Sequence, residues 1–243
     1  MNSPLPPLNH PKALILGGGF AGVRAALDVV KLLPSAKITL INNSTHHCFH
    51  PDLYEVATAK LAREGKIDFQ DLAGTVAIPL KVIFHQQPVR LVIDDVLGVD
   101  LPKKMVSTRN WGDLSYDFLV VALGSTTAYF GIQGAKKYSR PLKTTYDALN
   151  IRNDLDELMS SAKKPLSVVI AGGGFTGVEL GAELVNFLQD EGQITLLEGS
   201  DRLLTGMPEW THHRALKKLK KLKVQVLTGH KILEVTSQTV VCD

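Results

Sequence analysis

With 243 residues, 44% of them hydrophobic and 21% charged, the chain has a globular composition and is long enough for two cores. A formal net charge of +3 is too mild to argue for nucleic acid, and two distant cysteines, Cys48 and Cys242, exclude a disulfide framework and fit a reducing compartment. No apolar run approaches the ~18 residues of a spanning helix, and the start MNSPLPPLNHPK lacks the apolar core of a signal peptide.

Residues 1–11 hold four prolines and are expected to be a disordered lead. The apolar run Ala13–Leu16 then enters Gly17, Gly19 and Gly22 and a helix-forming segment, predicted from about Ala21 to Leu33 and stopped by Pro34. A buried parallel strand, a glycine turn and a helix form the dinucleotide fingerprint, in which the helix N-terminus faces a pyrophosphate. Gly17 is assigned to the turn, Gly19 to close approach of the phosphates and Gly22 to packing of the helix against the strand. Lys37–Asn42 reads as the second parallel strand. It ends on Asn42, 20 residues past Gly22, where the fingerprint expects an acid for the ribose hydroxyls. Asparagine accepts a hydrogen bond but lacks the charge, so weaker ribose affinity is expected.

Ser44–Thr58 carries His46, His47 and Cys48. Adjacent residues cannot all converge on one ion, so the segment is read as a loop beside the cofactor, fixed by Pro51 and packed through Phe49, Leu53 and Tyr54, with no metal. From Ile78 to Val106 the runs PLKVIF, VRLVIDDVLGVD and KKMVST read as an antiparallel insert or meander. The chain then returns through Tyr116-Asp117 to a strand expected to be fully buried and to end at Gly124, beside a ligand or at a plain turn. Phe130–Leu142 is read as a linker. Thr144 or Thr145 is expected to cap a helix Tyr146–Ala162, and Lys163-Lys164-Pro165 marks a boundary.

Ser167–Leu184 repeats the first device with Gly172, Gly174 and Gly177, at an offset of 155 residues from Gly17 to Gly172. A repeat at that period means two successive domains of one type. Paired sites point to two cofactors that must exchange electrons, for which the usual solution is a flavin in the first and a nicotinamide in the second. Glu179 and Glu183 share a helix face, with Glu179 placed in the first turn. The strand QITLLEG ends on Glu198, 21 residues past Gly177. That carboxylate would accept from both ribose hydroxyls of NAD and repel a 2′-phosphate, which favours NADH over NADPH. In Arg214–Lys223, leucines 216, 219 and 222 form a stripe among five lysines. A membrane-surface helix is one reading, and the solvated face of a crossover helix is preferred. VQVLTGHKILEV supplies one more strand and the start of a hairpin.

The motifs GGGFAG, HHCFHPDLYEVAT, YDFLVVALGS, FGIQG, PLKT and GGGFTGVELGAEL with ITLLEGSDRLL span essentially the whole chain. Through them it resembles the two-dinucleotide-binding-domain flavoproteins, and among these the type II NADH dehydrogenases, the single-subunit NADH:quinone oxidoreductases. The resemblance implies FAD on Gly17, Gly19, Phe20, Ala21 and Gly22, completed by Asn42, the loop around His47 and Pro51, Val96 and Gly124. It implies NADH on Gly172, Gly174, Phe175, Thr176, Gly177 and Glu198, and a proton-transfer role near flavin and quinone for Glu179. Asn42 departs from the family's acid, and the family continues well past this length with a further FAD-binding segment and a membrane-docking region.

The expected fold is thus α/β: two Rossmann-like domains with central parallel sheets and an antiparallel meander insert, the second domain incomplete. The FAD domain is placed at 12–130, a linker and connecting helix at 131–164, and the NAD domain at 165–243. The expected activity is hydride transfer from NADH to FAD and then two-electron reduction of a quinone. One alternative is a single-cysteine NADH oxidase, peroxidase or CoA-disulfide reductase using Cys48. The other is a truncated, non-catalytic nucleotide-binding module. Expected partners are a quinone or other small acceptor and no nucleic acid, with a homodimer and peripheral membrane contact through the missing C-terminal region as further expectations. The expected location is cytoplasmic, extending to the cytoplasmic face of the inner membrane.

Overall fold

Alternation along β1 (Lys12–Leu16) sets up the first sheet, because successive side chains of a strand point to opposite faces. The computed structural model describes residues 10–60, 75–161 and 165–243, so residues 1–9 of the proline-rich lead, Ala162 and the Lys163-Lys164 boundary lie outside the described residues. Pro11, at the end of that lead, is buried and its carbonyl accepts Lys37 N–H at 2.9 Å. Contacts group the described chain into two units: residues 10–48 and 75–125 form the first, and residues 49–60, 126–161 and 165–243 the second.

In the first unit, Ala13 and Ile15 pack with Ile38, Leu40, Ala26 and Leu80, while Leu14 and Leu16 pack on the opposite face with Ile41, Val92, Val106 and Tyr116. Ala26 comes from α1 (Phe20–Leu32), and Ile38, Leu40 and Ile41 from β2 (Lys37–Asn42). A strand covered on both faces must be apolar along its length, as β1 is after Lys12. Removing side chains such as Leu40 and Ile41 from water stabilises the unit by about 1.5–3 kcal/mol each.

Two short pieces follow, β3 (His46–Cys48) in this unit and α2 (Leu53–Ala57) in the second. The expected loop at Ser44–Thr58 is therefore ordered secondary structure. β3 pairs antiparallel with β4 (Ala77–Pro79), and His46 and His47 point to opposite faces. Among the described residues no group of three metal-ligating side chains forms.

PLKVIF is not a strand. Pro79 precedes the helical turn α3 (Leu80–Ile83), and Leu80 and Phe84, one turn apart, both bury in the α1-side core. VRLVI also leaves the meander: β5 (Val89–Ile93) pairs parallel with β2. The meander proper is β6 (Val96–Asp100), β7 (Met105–Thr108) and β8 (Asp113–Ser115), which covers the second face of the sheet. Asp94, between β5 and β6, accepts backbone N–H groups from Asp95, Asn110 and Trp111 at 2.7–3.0 Å. Burial works against ionisation there, but these donors prevail and hold its carboxyl at about 2.

β9 (Phe118–Val121) completes the parallel order β5-β2-β1-β9. It lies at the sheet edge, so Phe118 and Val121 are exposed, and it stops three residues before Gly124. The fully buried strand expected there is corrected accordingly.

The second unit has the parallel sheet β10-β11-β12, formed by Leu166–Ala171, Gly192–Glu198 and Gln225–Thr228. The segment expected as a linker folds here: it carries α4 (Ala135–Tyr138), and Val235 N–H donates to Gln133 O at 2.9 Å. α5 (Thr145–Ser161) is capped by Thr144, whose hydroxyl accepts Asp147 N–H while the Asp147 carboxylate accepts Thr144 N–H, a reciprocal capping box. α6 (Phe175–Leu188) and α7 (Glu209–Lys221) bury Leu184, Phe187, Leu188 and Leu219 against Ile170, Ile194 and Leu196. The chain closes on the hairpin β13 (Ile232–Val235) and β14 (Val240–Cys242). β10 differs from β1. Ile170 is buried, whereas Val169 is 40% exposed and Ser167 is exposed, so among the described residues only one face of this strand is packed. Among the described residues no helix is long and apolar enough to cross a membrane.

Candidate nucleotide-binding corners

Each parallel sheet delivers its first strand into the same turn. Gly17 has φ +103° and donates its N–H to Ile41 O at 2.8 Å; Gly172 has φ +106° and donates to Leu197 O at 2.8 Å. A side chain rarely tolerates that backbone, so glycine is required at both. The third fingerprint glycine packs most closely against the carbonyl of the first, directly after the strand end. A Cβ on Gly22 would stand 1.8 Å from Gly17 O, and one on Gly177 2.0 Å from Gly172 O. A Cβ on Gly19 or Gly174 meets nothing within 4 Å, so the space in front of each helix start is open. These two glycines are the extended N-caps of α1 and α6, and the first intrahelical bonds are Val23 N–H to Gly19 O and Val178 N–H to Gly174 O. An α-helix leaves its first amides outside its own ladder, and its positive end faces that space. Phe20, Ala21, Phe175 and Thr176 occupy these first turns.

The middle glycines, Gly18 and Gly173, were not singled out from the sequence, yet each fixes the end of the second strand. Gly18 N–H donates to Asn42 Oδ1 at 2.8 Å, and Gly173 N–H donates to Glu198 Oε2 at 2.6 Å. Asn42 and Glu198 therefore hold equivalent positions. Their second contacts differ: Asn42 Nδ2 donates to Ser44 O at 2.7 Å, whereas Glu198 Oε1 accepts Ser200 N–H at 2.7 Å. Burial pushes the Glu198 carboxyl up, but the Ser200 and Gly173 amides outweigh it and leave it below its ordinary value. The signal for the middle glycines was the unbroken GGG in each repeat.

His47 is buried and its Nδ1 lies 2.9 Å from Gly18 O. A carbonyl can only accept, so Nδ1 carries the proton. Its ring meets Phe20 edge to face at 4.7 Å between centroids. Val96 is half-buried on the Leu14–Leu16 face. Gly124, with φ +74°, follows Ala122, whose N–H donates to Leu16 O at 2.8 Å. The first unit thus brings Gly17, Gly19, Phe20, Gly22, Asn42 and His47 to one corner. Pro51 falls in the second unit, exposed in a one-turn helix of residues His50–Asp52.

Glu179 is corrected in position. α6 begins at Phe175, so Glu179 is its fifth residue and no acid lies in the first turn. The helix end does not favour its charge. Partial burial, and then the Asp52 carboxylate, raise its pKa above the ordinary value although the side chain keeps solvent access. α2 packs on α6, and the Tyr54 hydroxyl is raised by burial and then by Glu55, Glu179, Asp52 and Glu183.

A family profile described as pyridine nucleotide-disulphide oxidoreductase matches residues 11–242. The chain belongs to that family. It is 30% identical over 236 residues to demethylphylloquinone reductase NdbB of Synechocystis sp., covering 95% of this chain and 57% of that protein. It is 27% identical over 255 residues to the type II NADH:quinone oxidoreductase Ndh of Mycobacterium tuberculosis, covering 95% and 52%. The resemblance drawn from its motifs is thus matched by curated relatives of that name. Among solved structures, NDH2 from Plasmodium falciparum in complex with NADH superposes with a TM-score of 0.81 at 22% identity, over 93% of this chain and 49% of that one. The chain spans about half the length of the curated relatives it matches.

Proposed function

We propose that this chain is the paired nucleotide-binding core of an FAD-dependent oxidoreductase that takes hydride from NADH and passes two electrons to a quinone. The observation that carries this reading is the double corner. Each has an open space before an uncapped helix start, a glycine oxygen too close for any side chain behind it, and an acceptor fixing the middle glycine. The space fits a pyrophosphate, because a Cβ at Gly19 or Gly174 would project into it and glycine supplies none. Gly17, Gly19, Phe20, Ala21, Gly22 and Asn42 would hold FAD, with Gly124, Val96, His47 and Pro51 as the residues the family resemblance adds. Gly172, Gly174, Phe175, Thr176, Gly177 and Glu198 would hold NADH, with the Glu198 carboxylate selecting against a 2′-phosphate. When bound, the cofactors supply the redox chemistry. Glu179 keeps its proton to a higher pH than a free glutamate and would serve to move it.

Reconstitution tests this directly. The purified chain is expected to take up FAD, bleach with NADH and recover its colour with a soluble quinone. A colourless protein that still binds NADH would replace this reading with a nucleotide-binding module. Recovery with a disulfide but not with quinone would favour the Cys48 chemistry.

A further inference from the structure

Parallel register gathers three cations at the end of the first sheet that lies away from its glycine corner. Leu14 faces the meander, so Lys12, two residues earlier on β1, points to the same side. Lys37 stands opposite Lys12, Thr39 opposite Leu14 and Arg90 opposite Thr39, which brings all of them to that face. β8 adds Asp113 and Ser115, and together these side chains line a groove of about 260 Å³ within the first unit.

The charge in this groove is not balanced. Like charges directly opposite each other destabilise a sheet, where a carboxylate across from Lys12 or Lys37 would support it. Among the described residues none of Lys12, Lys37 and Arg90 forms an ion pair. Three cations face one lining carboxylate, Asp113, which leaves the groove at net +2. Asp117 is committed elsewhere, accepting the Lys12 backbone N–H at 2.7 Å. Natural sequences break such local rules mainly at functional sites. Two of the cations are also held in place. Lys12 Nζ donates to Ser115 Oγ at 2.8 Å and has further N–H donors to spare. Arg90 Cζ lies 4.9 Å from the centroid of the Trp111 ring, so stacking occupies the guanidinium face and leaves its N–H edge to grip an anion.

We propose that this groove binds a small, multiply charged phosphate anion, at a site that shares no residue with either glycine corner. Lys12 opens β1 and Gly17 follows its last residue, so the groove lies roughly 16 Å along the strand from the first corner. An Arg fork takes two phosphate oxygens at once, the two ammonium groups supply point charges, and the Thr39 hydroxyl adds a neutral donor. The volume falls below the ~300–1,000 Å³ of sites for drug-sized ligands, which is too little for a whole dinucleotide.

Trp111, stacked under Arg90, reports on this groove. Trp210→Phe leaves it as the one indole of the 243-residue chain. In that background, inorganic pyrophosphate added at constant ionic strength should change Trp111 emission saturably as Arg90 turns toward the anion. Lys12→Gln with Lys37→Gln replaces two exposed side chains and should weaken the apparent affinity roughly a hundredfold while keeping the melting curve. Lys217→Gln with Lys218→Gln removes the same charge from the exposed face of α7 and should leave the affinity unchanged. Both glycine corners are identical in the two variants, so the difference between them belongs to the groove. An unresponsive Trp111 would overturn the proposal, as would equal affinities in the two variants. So would citrate binding as tightly as pyrophosphate, since the donor set would then not select phosphate.

Discussion

The two glycine corners share a backbone and differ in the side chain that clasps the middle glycine, and that difference is set two residues further on. After β2 the chain offers a carbonyl, Ser44 O, to the residue that clasps the middle glycine; after β11 it offers an amide, Ser200 N–H. The asparagine amide presents one donating NH2 group and one accepting oxygen, while a carboxylate presents two accepting oxygens. Asn42 and Glu198 each satisfy both local partners, and exchanging them would leave a like pair of groups facing each other. Asn42 is thus the residue its corner requires. From sequence it had read as a weakened acid.

The largest effect expected from this comparison concerns what the corners have in common. Gly22→Ala and Gly177→Ala would each drive a Cβ into a glycine carbonyl, at 1.8 and 2.0 Å, with only backbone to give way. Each should lose on the order of 3 kcal/mol in urea unfolding. Gly19→Ala and Gly174→Ala meet open space and should lose less than about 1 kcal/mol. If the two classes destabilise alike, the glycines are not divided as described.

The second prediction separates the corners. Glu198→Gln turns an amide NH2 toward either Gly173 N–H or Ser200 N–H and should cost about 1–3 kcal/mol and weaken NADH binding about tenfold. Asn42→Asp sets a carboxylate against Ser44 O and should also destabilise, although it restores the acid of the fingerprint. Tighter FAD retention without loss of stability would break the comparison. The pH dependence has a definite sign. The folded Glu198 carboxyl sits below its unfolded value of about 4.3. Its contribution is therefore complete above that pH and is lost as pH falls through the folded value. Acid titration of Glu198→Gln should lack that component, which Asn42 cannot supply to the first corner.

The smallest effect belongs to Glu179, whose shift has the opposite sign. Its folded carboxyl lies above the free value, so ionisation opposes folding as pH rises through that interval. Glu179→Gln should leave stability unchanged or raise it by no more than about 0.5 kcal/mol at pH 7, and the gain should vanish in acid. A clear loss of stability at pH 7 would show that the carboxylate makes a structural contact.

Repetition and pattern carried most of the fold. The doubled glycine runs, the six-residue strand at Lys37–Asn42 and the capped helix after Thr144 were legible because each depends on neighbours within a few residues. Pattern failed where partners are distant. PLKVIF has strand-like residues, but Leu80 and Phe84 share a helical face that only the α1-side core rewards. VRLVI is equally apolar in a meander or a parallel sheet, and its pairing with β2 is decided across about 50 residues of chain.

By itself, then, the sequence determined the two strand–turn–helix corners, since backbone dihedrals at Gly17 and Gly172 and strand and helix periodicity are local properties. Only tertiary structure decided which hydrogen bonds Asn42 and Glu198 make, which face of β10 stays open, and that the Glu179 charge is opposed by partial burial and then by Asp52 rather than favoured by a helix end. Those depend on groups that are remote along the chain and adjacent in space, where polarity and solvent exclusion act over a few ångströms and sequence order carries no distance.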